Sequence, residues 1–170
     1  MDLRKRLSRS GVVDELTKIG DDLGSNVALF KALVDIYIEG PYKFTHRAAH
    51  VINFILERHP HLIRSHLKRI IGHLDKPGVH DAFRRNTIRM LQWIEIPKSL
   101  QGRVLNICFR YLEDRKEAIA IKVFSMSVIS KIARGEPSLL KELRILVEDQ
   151  LPYAGPAFRS RAKKIVKSEQ

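Results

Sequence analysis

Cysteine is almost absent from this 170-residue chain. Its single copy, Cys108, sits in the apolar run VLNICFRYL, so no intrachain disulfide can form and a reducing compartment is the natural home. In that setting the thiol reads as a small buried hydrophobe rather than a nucleophile. Long apolar runs are missing too: nowhere do about 18 apolar residues follow one another, which excludes a membrane-spanning helix. The opening residues MDLRKRLSRSGVVDEL are basic but lack the apolar stretch of a secretory leader, and a cytoplasmic location is expected. Aromatic residues make up only 7% of the chain, with one tryptophan, Trp93. No Gly-rich phosphate loop, GxSxG, HExxH, kinase motif set or paired-cysteine motif occurs, so no catalytic residue, metal or cofactor is expected.

What the chain does have is positive charge: a formal net charge of +12 and a pI near 10.1. Such a balance favours an anionic partner and says nothing about fold. The charge is uneven. Between Arg58 and Arg89, eight Lys or Arg face only Asp75 and Asp81, and five of the seven histidines lie in the same stretch. From Pro156 onward, Arg159, Arg161, Lys163, Lys164 and Lys167 face only Glu169.

With 44% apolar and 29% charged residues, the balance is that of a globular protein rich in helix formers. Proline and glycine mark the breaks: Gly40-Pro41, His59-Pro60, Lys76-Pro77-Gly78, Ile96-Pro97, Gly135-Glu136-Pro137 and Gly155-Pro156. Proline cannot continue a helix but suits its first turn, so each break ends one helix and permits another. Between them, apolar residues recur at three and four, as in Val27, Leu29, Phe30, Leu33, Val34 and Tyr37. The chain is expected to be all-α.

A repeat runs through these helices. The segments HRAAHVINFI, RRNTIRMLQWI, IKVFSMSVI and SRAKKIV align on Arg47, Arg85, Lys122 and Arg161, which are 38, 37 and 39 residues apart. Pro60, Pro97 and Pro137, each soon followed by Leu, keep the same phase at 37 and 40. Glu39, Asp75 and Asp114 precede the basic positions by 8, 10 and 8 residues. One unit is therefore a helix, a carboxylate-bearing turn, a second helix and a proline-marked turn. A two-helix unit cannot bury its apolar face alone, which is why such units recur and stack. The predicted hairpins cover 26–57, 61–94, 98–133 and 138–168 within a single domain, and residues 1–20 form a capping helix.

This pattern resembles the HEAT and armadillo-like α-helical repeats. The resemblance implies an α-solenoid in which Glu39, Asp75 and Asp114 form a ladder with Arg47, Arg85 and Arg161 between neighbouring repeats, Lys122 being a departure. It implies a non-catalytic scaffold that binds a macromolecule, protein first and nucleic acid second. A third reading comes from the HEAT-like DNA glycosylases that act on alkylated bases, in which Trp93 with Glu95 or Asp81 would serve, although no motif places them.

The candidate binding residues are the basic ones. In LIRSHLKRIIGHL the apolar stripe Leu62, Ile63, Leu67, Ile70, Ile71 and Leu74 leaves Arg64, His66, Lys68 and Arg69 outside. Arg84 and Arg89 follow on the next helix, and Arg159, Lys163 and Lys164 mark the last. Converging on one face, these side chains would track a phosphate backbone; scattered, they are a solvated surface. His46 and His50 stand four apart, a spacing compatible with two metal ligands, but no HExxH, cysteine pair or carboxylate set accompanies them. Phe30, Phe54, Phe109 and Phe124 read as core, while Trp93 and Tyr153 lie near turns and are expected at the surface.

Overall fold

A computed structural model of the chain describes residues 3–9, 13–23 and 26–167. The described residues are mainly helical, with no strand among them. They form α1 (Leu3–Arg9), α2 (Val13–Leu23), α3 (Val27–Glu39), α4 (Tyr42–Leu56), α5 (Leu67–Leu74), α6 (Asp81–Leu91), α7 (Lys98–Glu113), α8 (Ile119–Ile132), α9 (Pro137–Gln150) and α10 (Pro156–Lys167). Short 3-10 segments, Pro60–His66 and Leu151–Tyr153, lead into α5 and follow α9. The N-terminal stretch holds two helices, α1 and α2, where the sequence reading has one; residues 10–12 lie outside the described residues.

The helix boundaries follow local chemistry. Asn26 caps α3, its side-chain oxygen accepting the Leu29 N–H at 3.0 Å, which satisfies one of the amide donors a helix start leaves orphaned. Pro41 and Pro97 stand immediately before α4 and α7, and Pro137 and Pro156 open α9 and α10. After α8, Gly135 takes φ of 87°, a left-handed backbone that glycine adopts without steric cost.

The chain divides into two compact units, residues 1–87 and 88–170. In the first, α4 is the hub, packing against α1, α2 and α3. It can do so because two of its sides are apolar or small: Ala48, Ala49, Val51, Ile52, Ile55 and Leu56 are all buried. Tyr37 of α3 lies fully buried and stacks on Phe83 of α6, with ring centroids 4.6 Å apart. Its hydroxyl lies 3.2 Å from the Phe83 carbonyl and 2.6 Å from Thr87 Oγ1, so a phenol in the core keeps its hydrogen bonds. Burial raises the Tyr37 pKa far above the ordinary range of a phenol. The stripe Leu62, Ile63, Leu67, Ile70, Ile71 and Leu74 is buried as its spacing requires.

The second unit repeats the plan around α8, which packs against α7, α9 and α10. A helix with neighbours on several sides must be apolar nearly all round. Accordingly Ile121, Val123, Met126, Val128 and Ile129 are buried, along with the small Ser125 and the charged Lys122. Cys108 is fully buried on α7, and burial pushes its thiol up to about 12, which removes it as a nucleophile at neutral pH. Of the four phenylalanines assigned to the core by spacing, only Phe30 is fully enclosed. Phe54, Phe109 and Phe124 are half-buried at the margins of their stripes.

The proposed ladder of arginines and turn carboxylates takes a different form. Arg47 donates to the carbonyls of Leu7 and Ser8 at the end of α1. Glu39 pairs instead with Arg69 at 2.9 Å, and Asp114 accepts the Lys116 N–H at 2.8 Å within its own turn. Lys131 sends its ammonium to the carbonyls of Leu91 and Gln92, each at 3.3 Å, and of Ile94, just past α6. Gln150 donates to the Leu112 carbonyl at 2.9 Å near the end of α7. These bonds reach back 37 to 40 residues, one repeat length. The physical reason is that the last carbonyls of a helix have no partner within it, so a long donor from the next repeat is better used there than on a solvated carboxylate.

Candidate functional site

The basic residues singled out by charge do not share one environment. Arg64 and Lys68 are exposed on the stretch that leads into and through α5. Arg69 is held by Asp35 and Glu39 of α3, which raises its own pKa and draws the Asp35 carboxyl below the usual carboxylate range despite the opposing effect of burial. Arg84 is half-buried and paired with Asp81 one turn earlier. Arg89 is exposed, and at five residues from Arg84 on the same helix it points about 140° away. Arg159, Lys163 and Lys164 are exposed on α10, opposite its buried stripe of Phe158, Ala162 and Ile165.

Of the residues considered for base chemistry, Asp81 is occupied by Arg84, whereas Trp93 is 77% exposed and Glu95 is also at the surface. Trp93 therefore lies in the open, at a turn just after α6.

Two surfaces stand out. One is a cavity of about 210 Å³ in the second unit, between the start of α8 and the turn from α9 to α10. Its walls are apolar: Ile119, Ala154, Phe158 and Tyr153, the last 90% exposed. Its rim carries Arg115 and Asp149, charges of opposite sign, and Lys122 and Gln150 line its floor. The Lys122 ammonium donates to Gln150 Oε1 at 2.8 Å. Burial lowers its pKa, against the opposing pull of Asp114 and Glu117 and with a further push from Arg115. Sequence spacing flagged Tyr153, but not Ile119 or Arg115, because these come from a different hairpin.

The other surface lies on α4 in the first unit. Tyr42, His46 and His50 occupy successive turns of its exposed side. Tyr42 and His46 have ring centroids 6.5 Å apart with planes 23° from parallel, and His46 and His50 repeat that at 6.5 Å and 15°. From just before α6, His80 meets Tyr42 edge-on at 5.5 Å. Burial lowers the His46 pKa, and the charges of Arg85, His50 and Arg47 lower it further. Among the described residues no group of three His, Cys, Asp or Glu side chains is arranged to hold a metal ion. Tyr42, His80 and Arg85 were missed as members of this surface. The tyrosine at four residues before His46 was the available signal.

Among the described residues, no helix is long and apolar enough to cross a membrane. No curated protein and no solved structure matches the chain. A family model described as HEAT repeat domain matches residues 3–169. Paired helices with hydrogen bonds returning at one repeat length agree with that match over nearly the whole sequence. The chain belongs to the HEAT-repeat family, all-α helical-repeat scaffolds that commonly mediate interactions.

Proposed function

We propose that this chain is a non-catalytic scaffold that binds a protein partner, using hairpins at 26–57, 61–94, 98–133 and 138–168 as its framework. The observation that carries the reading is the cavity at Ile119 and Tyr153. The exposed apolar side chains of Ile119 and Tyr153 line an opening that the exposed Arg115 and Asp149 line as well. A polypeptide segment offers an apolar side chain for the walls and polar groups of either sign for the rim. A phosphate backbone, by contrast, calls for one sign of charge, which Asp149 opposes. The pairing of Arg69 with Asp35 and Glu39, and of Arg84 with Asp81, also takes cations away from any common phosphate track.

The test is site-specific photocrosslinking from position 153 in the native host, followed by calorimetry with the purified partner. One dominant protein adduct is expected, with binding that weakens about tenfold or more in Tyr153→Ala, the loss typical of an exposed aromatic anchor. Absence of a protein adduct, or equal affinity of the Tyr153→Ala variant with an unchanged circular dichroism spectrum, would reject the reading.

A further inference from the structure

We propose that the exposed side of α4 is a stacking platform for single-stranded nucleic acid, formed by Tyr42, His46 and His50 with His80 and Arg85 beside it. This surface belongs to the first unit and is separate from the cavity on which the protein-binding reading rests.

Three independent features point to this ligand class. The first is geometry. Tyr42, His46 and His50 are spaced at i, i+4 and i+8, so their rings rise along one side of the helix in nearly parallel planes, 23° and 15° apart. Rings ordered in this way present a row of flat faces and edges to which successive unpaired bases can stack. Paired bases in a duplex keep their faces covered and cannot do so.

The second is exposure. Tyr42 is 59% exposed, so its ring is open to a base from solvent. The helix does not need the ring for its own packing, since α4 already buries Thr45, Ala48, Ala49, Ile52 and Ile55 on its inner sides.

The third is charge. The charges that lower the His46 pKa beside burial are those of Arg85, His50 and Arg47, all basic side chains. Arg47 is engaged with the carbonyls of Leu7 and Ser8, whereas Arg85, half-buried on α6, has no ion pair among the described residues and acts on His46 from there. A basic group flanking stacked rings is the combination that single-strand binders use, the cation meeting the phosphate while the ring meets the base. An acidic protein segment would satisfy the cation but leave the ring faces without a partner of matching shape.

The experiment uses the full chain and fluorescein-labelled 12-nucleotide single strands of DNA and RNA, the corresponding duplex, and labelled polyglutamate, with anisotropy read at 50 and 150 mM salt. Single strands are expected to bind at least tenfold tighter than duplex or polyglutamate. Tyr42→Ala and His46→Ala are each expected to weaken binding about tenfold, and Tyr42→Phe, which keeps the ring, to leave it within twofold. Arg85→Gln should reduce affinity and flatten the salt dependence. A preference between the DNA and RNA strands identifies which of the two is the ligand, and either result supports the proposal. Equal binding of polyglutamate, equal binding of duplex, no binding at 50 mM salt, or full affinity in Tyr42→Ala with an unchanged circular dichroism spectrum would each overturn it. None of these results bears on crosslinking from position 153.

Discussion

Replacing Lys131 by methionine tests whether the return bonds between repeats hold the second unit together. Methionine has nearly the shape of the lysine stem, so packing is kept and the change is confined to the ammonium. That group serves the carbonyls of Leu91, the last residue of α6, and of Gln92 and Ile94 just past it, where a helix end leaves its carbonyls without helical partners. A hydrogen bond to a charged group is worth about 1.5–3 kcal/mol net. Three acceptors share one ammonium here, and its desolvation offsets part of the gain, so a loss of about 2 kcal/mol is expected. With a urea slope of about 2 kcal/mol/M, the midpoint should fall by about 1 M. Trp93 lies between Gln92 and Ile94 in sequence and is the only tryptophan, so its fluorescence reports on this junction. Exposed Lys141→Met is the control and should stay within about 0.5 kcal/mol. The pH dependence supplies a second check. Burial and Arg134 lower the Lys131 pKa, with Glu95 opposing, so the folded state releases the proton before the unfolded state does. Stability should then rise as pH climbs through the interval below 10.5, and the methionine variant should lack that rise. A midpoint shift under about 0.2 M would refute the argument, because an interaction worth 2 kcal/mol cannot hide in so small a change.

Three further outcomes follow from the first unit. Tyr37→Phe should cost about 1–2 kcal/mol in urea unfolding, since it strips Thr87 Oγ1 and the Phe83 carbonyl of a buried partner without changing the ring stack. Gly20→Ala should destabilise by about 1–3 kcal/mol, because the new methyl group would press into the Phe54 ring, and adding Phe54→Leu should restore part of the loss. Burial, more than neighbouring charge, lowers the pKa values of His46, His66 and His73. The unfolded chain therefore takes up protons first as pH falls below 6.5. Stability should drop through that window toward each lowered folded value, and His73→Asn should make the drop shallower in urea titrations at pH 7 and pH 5.

The all-helical repeat was legible in the sequence because its signals are local. Pro41, Pro97, Pro137 and Pro156 announce helix starts within one or two residues, and the three-and-four spacing of Leu62, Ile63, Leu67, Ile70, Ile71 and Leu74 marks a buried side before any neighbour is known. What the sequence does not carry is whatever depends on a second element. Arg47 has carboxylates at suitable sequence distances, yet it serves the carbonyls of Leu7 and Ser8, and backbone acceptors leave no trace in residue type. Phe54 satisfies the apolar spacing but falls at the edge of α4, where it shields Gly20 and carries the Arg58 guanidinium 4.2 Å from its ring centroid. Charge density pointed to Arg69 and Arg84, both of which are occupied by acids on the same or a neighbouring helix. The ring surface on α4 was half visible: His46 and His50 announced themselves, while His80 and Arg85 reach it from more than 29 residues away in the chain.

The bonds that reach back one repeat also constrain how such a chain can change in length. Lys131 finds the end of α6 and Gln150 the end of α7 because 37 to 40 residues of intervening chain set the donor opposite its acceptor. Adding or removing a residue within a helix turns the donor by about 100° and withdraws it from those carbonyls. Duplicating a whole hairpin moves donor and acceptor together and keeps every such bond. Growth by entire repeats is therefore the route by which this architecture lengthens without loosening, and single-residue insertions should be confined to the turns.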